Sequence, residues 1–175
     1  MQHPIVEPGL QRILAAPTSV GALLELCEEN FQLLRLIAPD LRAMRGSHHS
    51  RRAGQLDLHL DILGQSPYTT TLRLTYYFDE QQGRAPDPDA TLRVYHDARQ
   101  LEVLDLRQQA LPVERLFERP GLARKWKASV FLSKWLWFCL RNGHRFEPKA
   151  HPDSAGQDGP AGSAEAPAIP VRSAG

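Results

Sequence analysis

The stretch that most limits what this chain can become is QLDLHLDIL, residues 55–63. Leu56, Leu58, Leu60 and Ile62 alternate there with Asp57, His59 and Asp61. A period of two is the pattern of a strand with one buried and one wet face, because successive side chains on a strand point to opposite sides. A helix would scatter the same four apolar residues around its circumference. After the turn GQSPY, the run TTTLRLTYYF repeats the pattern. Leu72, Leu74, Tyr76 and Phe78 take one side, and Thr71, Arg73, Thr75 and Tyr77 the other. Two such runs joined by a short polar turn predict an antiparallel hairpin.

Two further strands extend the sheet to four. TLRVYH sets Leu92, Val94 and His96 on one face and Arg93 and Tyr95 on the other, and LEVLDL follows at 101–106. Asp97-Ala98-Arg99-Gln100 reads as the turn between them, since Asp in the first position accepts nearby backbone N–H groups. DEQQGRAPDPDA is expected to be the loop joining the two hairpins. The last strand carries apolar residues in both alternating sets, so its faces stay undecided.

A helix flanks the sheet at each end. After Pro17, Thr18 or Ser19 can cap a stripe of Leu23, Leu26, Cys27, Phe31, Leu33, Leu34 and Ile37, and Pro39 ends it. LRAMRGSHHSRR, with four arginines and no acid, then reads as a basic connector. Residues 125–142 predict the second helix. Trp126, Val130, Ser133, Trp137 and Leu140 form one stripe, Phe131, Trp135 and Phe138 another, and Gly143 stands at the left-handed C-cap. The expected fold is α+β, a four-stranded antiparallel meander with an N-terminal and a C-terminal helix packed on one face. Its expected core holds Leu23, Phe31, Leu34, Leu58, Leu60, Leu72, Leu74, Val94, Val130, Trp137 and Leu140.

Composition sets the frame. The 175 residues are 42% apolar and 23% charged with a net charge of +1, which fits one globular domain and no strong field toward nucleic acid or membrane. That domain is expected over 18–146. Residues 1–17, broken by Pro4, Pro8, Gly9 and Pro17, are expected to form a flexible segment. Residues 147–175 are expected to be a disordered tail: 19 of the 29 are Pro, Gly, Ala or Ser, too little apolar area to offset ordering entropy. Cys27 and Cys139 are far apart, with no C-x-x-C spacing, and read as buried free thiols of a reducing compartment. MQHPIVEPGL has neither the basic start nor the apolar run of a secretory signal, and VFLSKWLWFCL is too short to span a bilayer. The expected location is cytoplasmic, with no membrane partner.

The chemistry-bearing residues support binding better than catalysis. Tyr95, His96 and Asp97 are adjacent, yet Tyr95 and His96 point to opposite faces of a strand and cannot converge on one substrate atom. No catalytic residue is expected. Asp57, His59 and Asp61 have the spacing of metal ligands on one strand face, but any solvated strand looks the same and a fourth ligand is not evident beyond His48 or His49. No metal or other cofactor is expected. Arg73, Tyr77, Arg93 and Tyr95, with His96 and Asp97 at the edge, form a candidate binding face on which tyrosines could stack bases and arginines neutralise phosphates. Asp57 and Asp61 on the neighbouring strand oppose that use. The chain lacks a phosphate-cradling glycine loop, a nucleophile elbow and a histidine–cysteine pair at protease spacing, which favours a non-enzymatic role.

Three motifs in order, CEENFQLLRLIAPDL, TLRVYHDARQLEV and FLSKWLWFCLRNG, resemble the YqiB-like family of small bacterial proteins over residues 22–146. The resemblance implies a cytosolic proteobacterial protein and supplies no activity, cofactor or site residue. One departure is clear: the family has a longer acidic approach to its last helix, with an Asp-Glu-Lys run, where this chain has the basic LARKWKASVFLSKWL. The expected role is that of an accessory or regulatory protein that binds a macromolecular partner, a protein in the first instance. The alternative is a nucleotide- or RNA-binding module that uses the Arg/Tyr sheet face.

Overall fold

Strand pairing dominates the computed structural model of this chain, in which residues 11–12, 15, 17–80, 83–108 and 121–147 are described. The described elements run α1 (Val20–Ile37), β1 (Ser47–Ser50), β2 (Leu58–Gln65), β3 (Thr69–Glu80), β4 (Gly83–Tyr95), β5 (Gln100–Arg107) and α2 (Leu122–Arg141). The strands form one antiparallel sheet in sequence order. The α+β class and the meander stand, but the sheet has five strands where four were expected. Most of the expected N-terminal segment and all but Glu147 of the expected tail lie outside the described residues.

The additional strand is SHHS, inside the segment read as a basic connector. It has no apolar alternation to announce it. Pairing with β2 makes it a strand, with His48 opposite Leu60 and Ser50 opposite Leu58. Both inward side chains are polar and buried, and both are satisfied. His48 Nε2 bonds Arg45 O at 2.8 Å, and Ser50 Oγ accepts from the Arg145 N–H at 3.1 Å. Paired polar groups can be buried without the penalty an orphan would carry.

The expected loop DEQQGRAPDPDA also turns out to be largely strand, because β4 begins at Gly83. β5 ends opposite Asp89, so among the described residues no strand pairs with the outer side of residues 83–88 of β4, an edge where proline is tolerated. The register steps by one residue between the Thr75–Asp89 and Tyr77–Pro86 pairs, a bulge that absorbs Pro88. The Thr75 hydroxyl donates to Pro88 O at 2.8 Å beneath it.

A second bulge resolves the ambiguity of the last strand. Val94 faces Leu101 and Leu92 faces Val103, but Ala90 faces Leu106. Leu104 is the extra residue, and it is 38% exposed. Leu101, Val103 and Leu106 therefore share the inner face despite their uneven spacing. Leu63 plays the same part on β2.

Both helices lie on the inner face. The Ser19 hydroxyl accepts the Ala22 N–H at 3.1 Å to start α1, and Ala38, followed by Pro39, closes it. The second helix ends as its sequence promised. Gly143, at φ +75°, donates to Leu140 O and His144 donates to Cys139 O, the paired bonds of a Schellman cap. Leu58, Leu60, Leu72, Leu74, Leu92 and Leu101 are fully buried beneath Leu26, Ile37, Leu132, Leu136 and Cys139.

The inward face of α2 differs from both aromatic stripes. It consists of Ala128, Ser129, Leu132, Ser133, Trp135, Leu136 and Cys139. Small residues let α1 approach closely enough for buried Asn30 to donate to Ser129 O at 2.9 Å. Val130, Trp137 and Leu140 are only partly buried, as is Leu23 on α1, so these four expected core residues line its margin instead.

Candidate functional site

The outer face of the sheet holds several of the residues marked by the sequence, and register sets them in rows. Asp61 stands opposite Arg73, Thr71 opposite Arg93, and Arg93 opposite Glu102. Arg73 grips Asp89 with both edges of its guanidinium, Nε to Oδ1 at 2.6 Å and Nη2 to Oδ2 at 2.8 Å. Those hydrogen bonds hold Arg73 above the ordinary guanidinium pKa. An arginine so engaged is occupied, and its use as a phosphate ligand would require breaking the pair. Arg93 makes no hydrogen bond or ion pair among the described residues, though its charge acts on Glu102, the residue opposite it.

Tyr77 belongs to a ladder of rings. His59 meets it edge-on with centroids 4.8 Å apart, and His49 lies 6.2 Å beyond His59. The Arg84 guanidinium caps the ladder 5.3 Å from the Tyr77 centroid. Three rings and one guanidinium thus cross β1, β2, β3 and β4. Burial pulls His59 below the usual imidazole pKa, so this ring is neutral at pH 7.

The other candidates disperse. The Tyr95 hydroxyl donates to Glu102 Oε2 at 3.1 Å, and Lys125 Nζ donates to Glu102 Oε1 at 2.9 Å, tying the first turn of α2 to the sheet. The hydrogen bond from Lys125, joined by that from Tyr95, holds Glu102 below the usual carboxylate pKa against the opposing effect of burial. His96 points to the inner side, where Nε2 bonds Thr70 Oγ1 at 2.8 Å, and burial lowers its pKa. Asp97 is exposed at the tip of the hairpin. The turn itself spans residues 96–99 rather than 97–100, because Tyr95 and Gln100 form the closing pair and Arg99 takes the left-handed conformation at φ +55°. The six residues therefore do not converge on one point.

Two further observations bear on chemistry. Among the described residues, no group of three or more His, Cys, Asp or Glu side chains is placed to hold a metal ion. Both cysteines are free, and burial raises both thiols, that of Cys139 to about 12. Neither supplies a thiolate nucleophile at neutral pH.

The sequence reading grouped Phe131 and Phe138 with Trp135 in one apolar stripe and missed the outward face of α2: Phe131 is half-buried against the core, whereas Phe138 is exposed. Lys127, Phe131, Lys134, Phe138 and Arg141 follow one another at intervals of four, three, four and three. On a helix that spacing makes a single stripe. Its three cations are exposed and make no ion pair among the described residues. Phe138 is 54% exposed. Beside it lies an apolar groove of about 370 Å³ lined by Leu56, Tyr76, Phe78, Pro88, Trp135 and Phe138. Leu56 and Phe78 on its far side are 41% and 39% exposed, so the apolar surface is continuous from helix to sheet edge. The signal was present in the sequence as alternation of cation and aromatic at helical spacing.

A family model described as a protein of unknown function (DUF1249) matches residues 32–145, which span the end of α1, the whole sheet and α2. The uncharacterized protein YqiB of Escherichia coli strain K12 is 30% identical over 132 residues, covering 69% of this chain and 88% of the relative. YqiB of the E. coli O6:H1 strain CFT073 and of E. coli O157:H7 match with the same identity and coverage. No solved structure matches the chain. None of the described helices is long and apolar enough to cross a membrane. Matching in both family model and sequence over strands and helix alike, the chain belongs to the DUF1249 family of YqiB-like proteins.

Proposed function

We propose that this protein is an accessory or regulatory factor that acts by binding a partner protein through the outward face of α2 and the groove beside it. The observation that carries this reading is the stripe Lys127–Phe131–Lys134–Phe138–Arg141, cationic and aromatic in alternation, next to continuous exposed apolar surface. Contiguous apolar patches rimmed by charge mark interaction sites more often than ordinary surface. Charge selects the occupant: an amphipathic helix of the partner, with apolar anchors for the groove and carboxylates for the three cations. Affinity capture from a bacterial lysate tests it, with the wild-type chain beside Lys134→Glu combined with Phe138→Glu. Circular dichroism checks that the variant folds. A stoichiometric protein held by the wild type and released by the variant supports docking on α2, and equal retention by both overturns it.

One observation favours a second reading, nucleotide or RNA binding on the outer sheet face. The His49–His59–Tyr77 ladder presents π-faces and edges beside Arg84 and Arg93, which suits stacked bases and a phosphate backbone. The engagement of Arg73 by Asp89 and the carboxylates of Asp57, Asp61 and Glu102 weigh against it. Fluorescence polarisation on short RNA at two salt concentrations decides the matter. Affinity that falls with salt and with Tyr77→Ala plus Arg93→Ala favours this reading, and affinity unchanged in that variant removes it.

A further inference from the structure

A cleft of about 350 Å³ opens between the C-terminal end of α1 and the β4–β5 turn. Phe31 and Leu34 of α1 and Val94 of β4 make it apolar within. Arg35, Arg42 and Arg99 line it as well, and they come from α1, from the connector to β1 and from the hairpin turn. Among the described residues, no carboxylate lines it. We propose that this cleft binds a small phosphorylated ligand with an apolar body.

Each arginine is held near the cleft yet retains free donors. Arg42 Nη2 donates to Pro67 O at 2.9 Å, which uses one of its five N–H groups. The Arg35 guanidinium lies 5.9 Å from the Phe31 ring centroid and makes no ion pair among the described residues. Arg99 has neither hydrogen bond nor ion pair among them. Its left-handed backbone is one that glycine or asparagine adopts more readily, so turn geometry does not explain an arginine there.

The surrounding charges leave the cleft positive. Asp40 and Asp97 are exposed neighbours in sequence and offset two of the three guanidinium charges at most. The C-terminal end of α1 contributes only about half a negative charge. Its carbonyls are moreover covered by donors: Leu34 O by the Ala38 N–H, Ile37 O by the Phe146 N–H, and Ala38 O by the Leu41 N–H. Three guanidiniums, from three segments of the chain, equal in number the three terminal oxygens of a phosphate monoester, whereas a carboxylate offers two. The apolar interior accounts for the rest of the ligand, and the volume falls in the range of roughly 300–1,000 Å³ usual for small-molecule sites. This site stands apart from the docking face of α2, on different elements.

Amide NMR titration of the full chain with phenyl phosphate tests the proposal, with inorganic phosphate and benzoate as comparisons. Phenyl phosphate is expected to move the resonances of Val94, His96 and Arg99 and to bind about tenfold more tightly than either comparison. Arg35→Ala and Arg99→Ala alter exposed residues and preserve the fold, and each should weaken binding about tenfold, the loss of one charge-assisted contact. Absence of shifts at millimolar phenyl phosphate overturns the proposal. So do shifts that map only to α2, affinity unaltered in both variants, or benzoate binding as tightly as phenyl phosphate.

Discussion

Arg73 and Asp89 show how a residue can be both conspicuous and committed. The pair is bidentate, with the arginine side chain 31% and the aspartate 14% exposed. That places it between surface ion pairs, worth about 0–1 kcal/mol, and buried ones whose rupture costs about 3–5 kcal/mol. Asp89→Asn should therefore destabilise the protein by about 1–2 kcal/mol, read as a lower urea midpoint. Histidines set the response to pH. Burial lowers the pKa of His59, His96 and His144 in the folded chain, so the unfolded chain binds more protons in the window just below its own imidazole value. Stability is then full above about pH 6.5 and declines as pH falls below it. The depressed Glu102 acts in a separate window, losing its contribution as pH falls below the ordinary carboxylate value. Urea midpoints at pH 7.5 and 5.5 should show the histidine decline, and His144→Gln should shallow it, because His144 is buried against Ser50 and Tyr76.

At the scale of elements, bulges decide which side chains reach the core. On β5 the insertion of Leu104 lets Leu101, Val103 and Leu106 face inward together. Leu101→Ala should cost about 2–5 kcal/mol, as for any fully buried leucine, while Leu104→Ala should stay within about 0.5 kcal/mol. Chemical denaturation of the two variants checks the contrast, and equal losses would contradict the bulge. Much of the element order was legible beforehand. The alternation of β3, that of β2 from Leu58 to Ile62, the Ser19 cap, the Pro39 stop and the Gly143 cap are local patterns and hold, whereas Leu56 falls outside β2 and is exposed. β1 was not legible, because four residues with two inward polar side chains carry no period. The start of β4 was hidden by Pro86 and Pro88, which read as loop until their pairing with β3 alone, among the described strands, is known. The face of α2 was misjudged for a related reason: aromatic size signals burial on average, but close helix contact selects Ala128, Ser129 and Ser133.

Across the whole molecule, the chain after α2 closes the core. Phe146 is almost wholly buried, and its N–H donates to Ile37 O at 2.7 Å, joining the last described residues to the end of α1. Phe146→Ala should cost about 3 kcal/mol or more, measurable by urea unfolding. That bond covers the Ile37 carbonyl, next in the chain to Ala38 of the arginine cleft, so stability and the proposed phosphate site share this corner. Two surfaces then lie on separate elements: the basic and aromatic face of α2, and the cleft between α1 and the β4–β5 turn.

The candidate sites divide along the same line as the fold. Alternation placed Arg73, Tyr77 and Arg93 on one sheet face and separated Tyr95 from His96, because side-chain direction on a strand depends only on position along it. The engagement of Arg73 by Asp89 and the meeting of Arg35, Arg42 and Arg99 involve residues from different elements, and no local period encodes them. By itself the sequence determined the class, most elements and their caps, and the family motifs, all properties of neighbouring residues. Tertiary structure alone decided the fifth strand, the bulge registers, the buried face of α2 and the arginine cleft. Each of these depends on what a segment packs against, and that partner lies elsewhere in the chain.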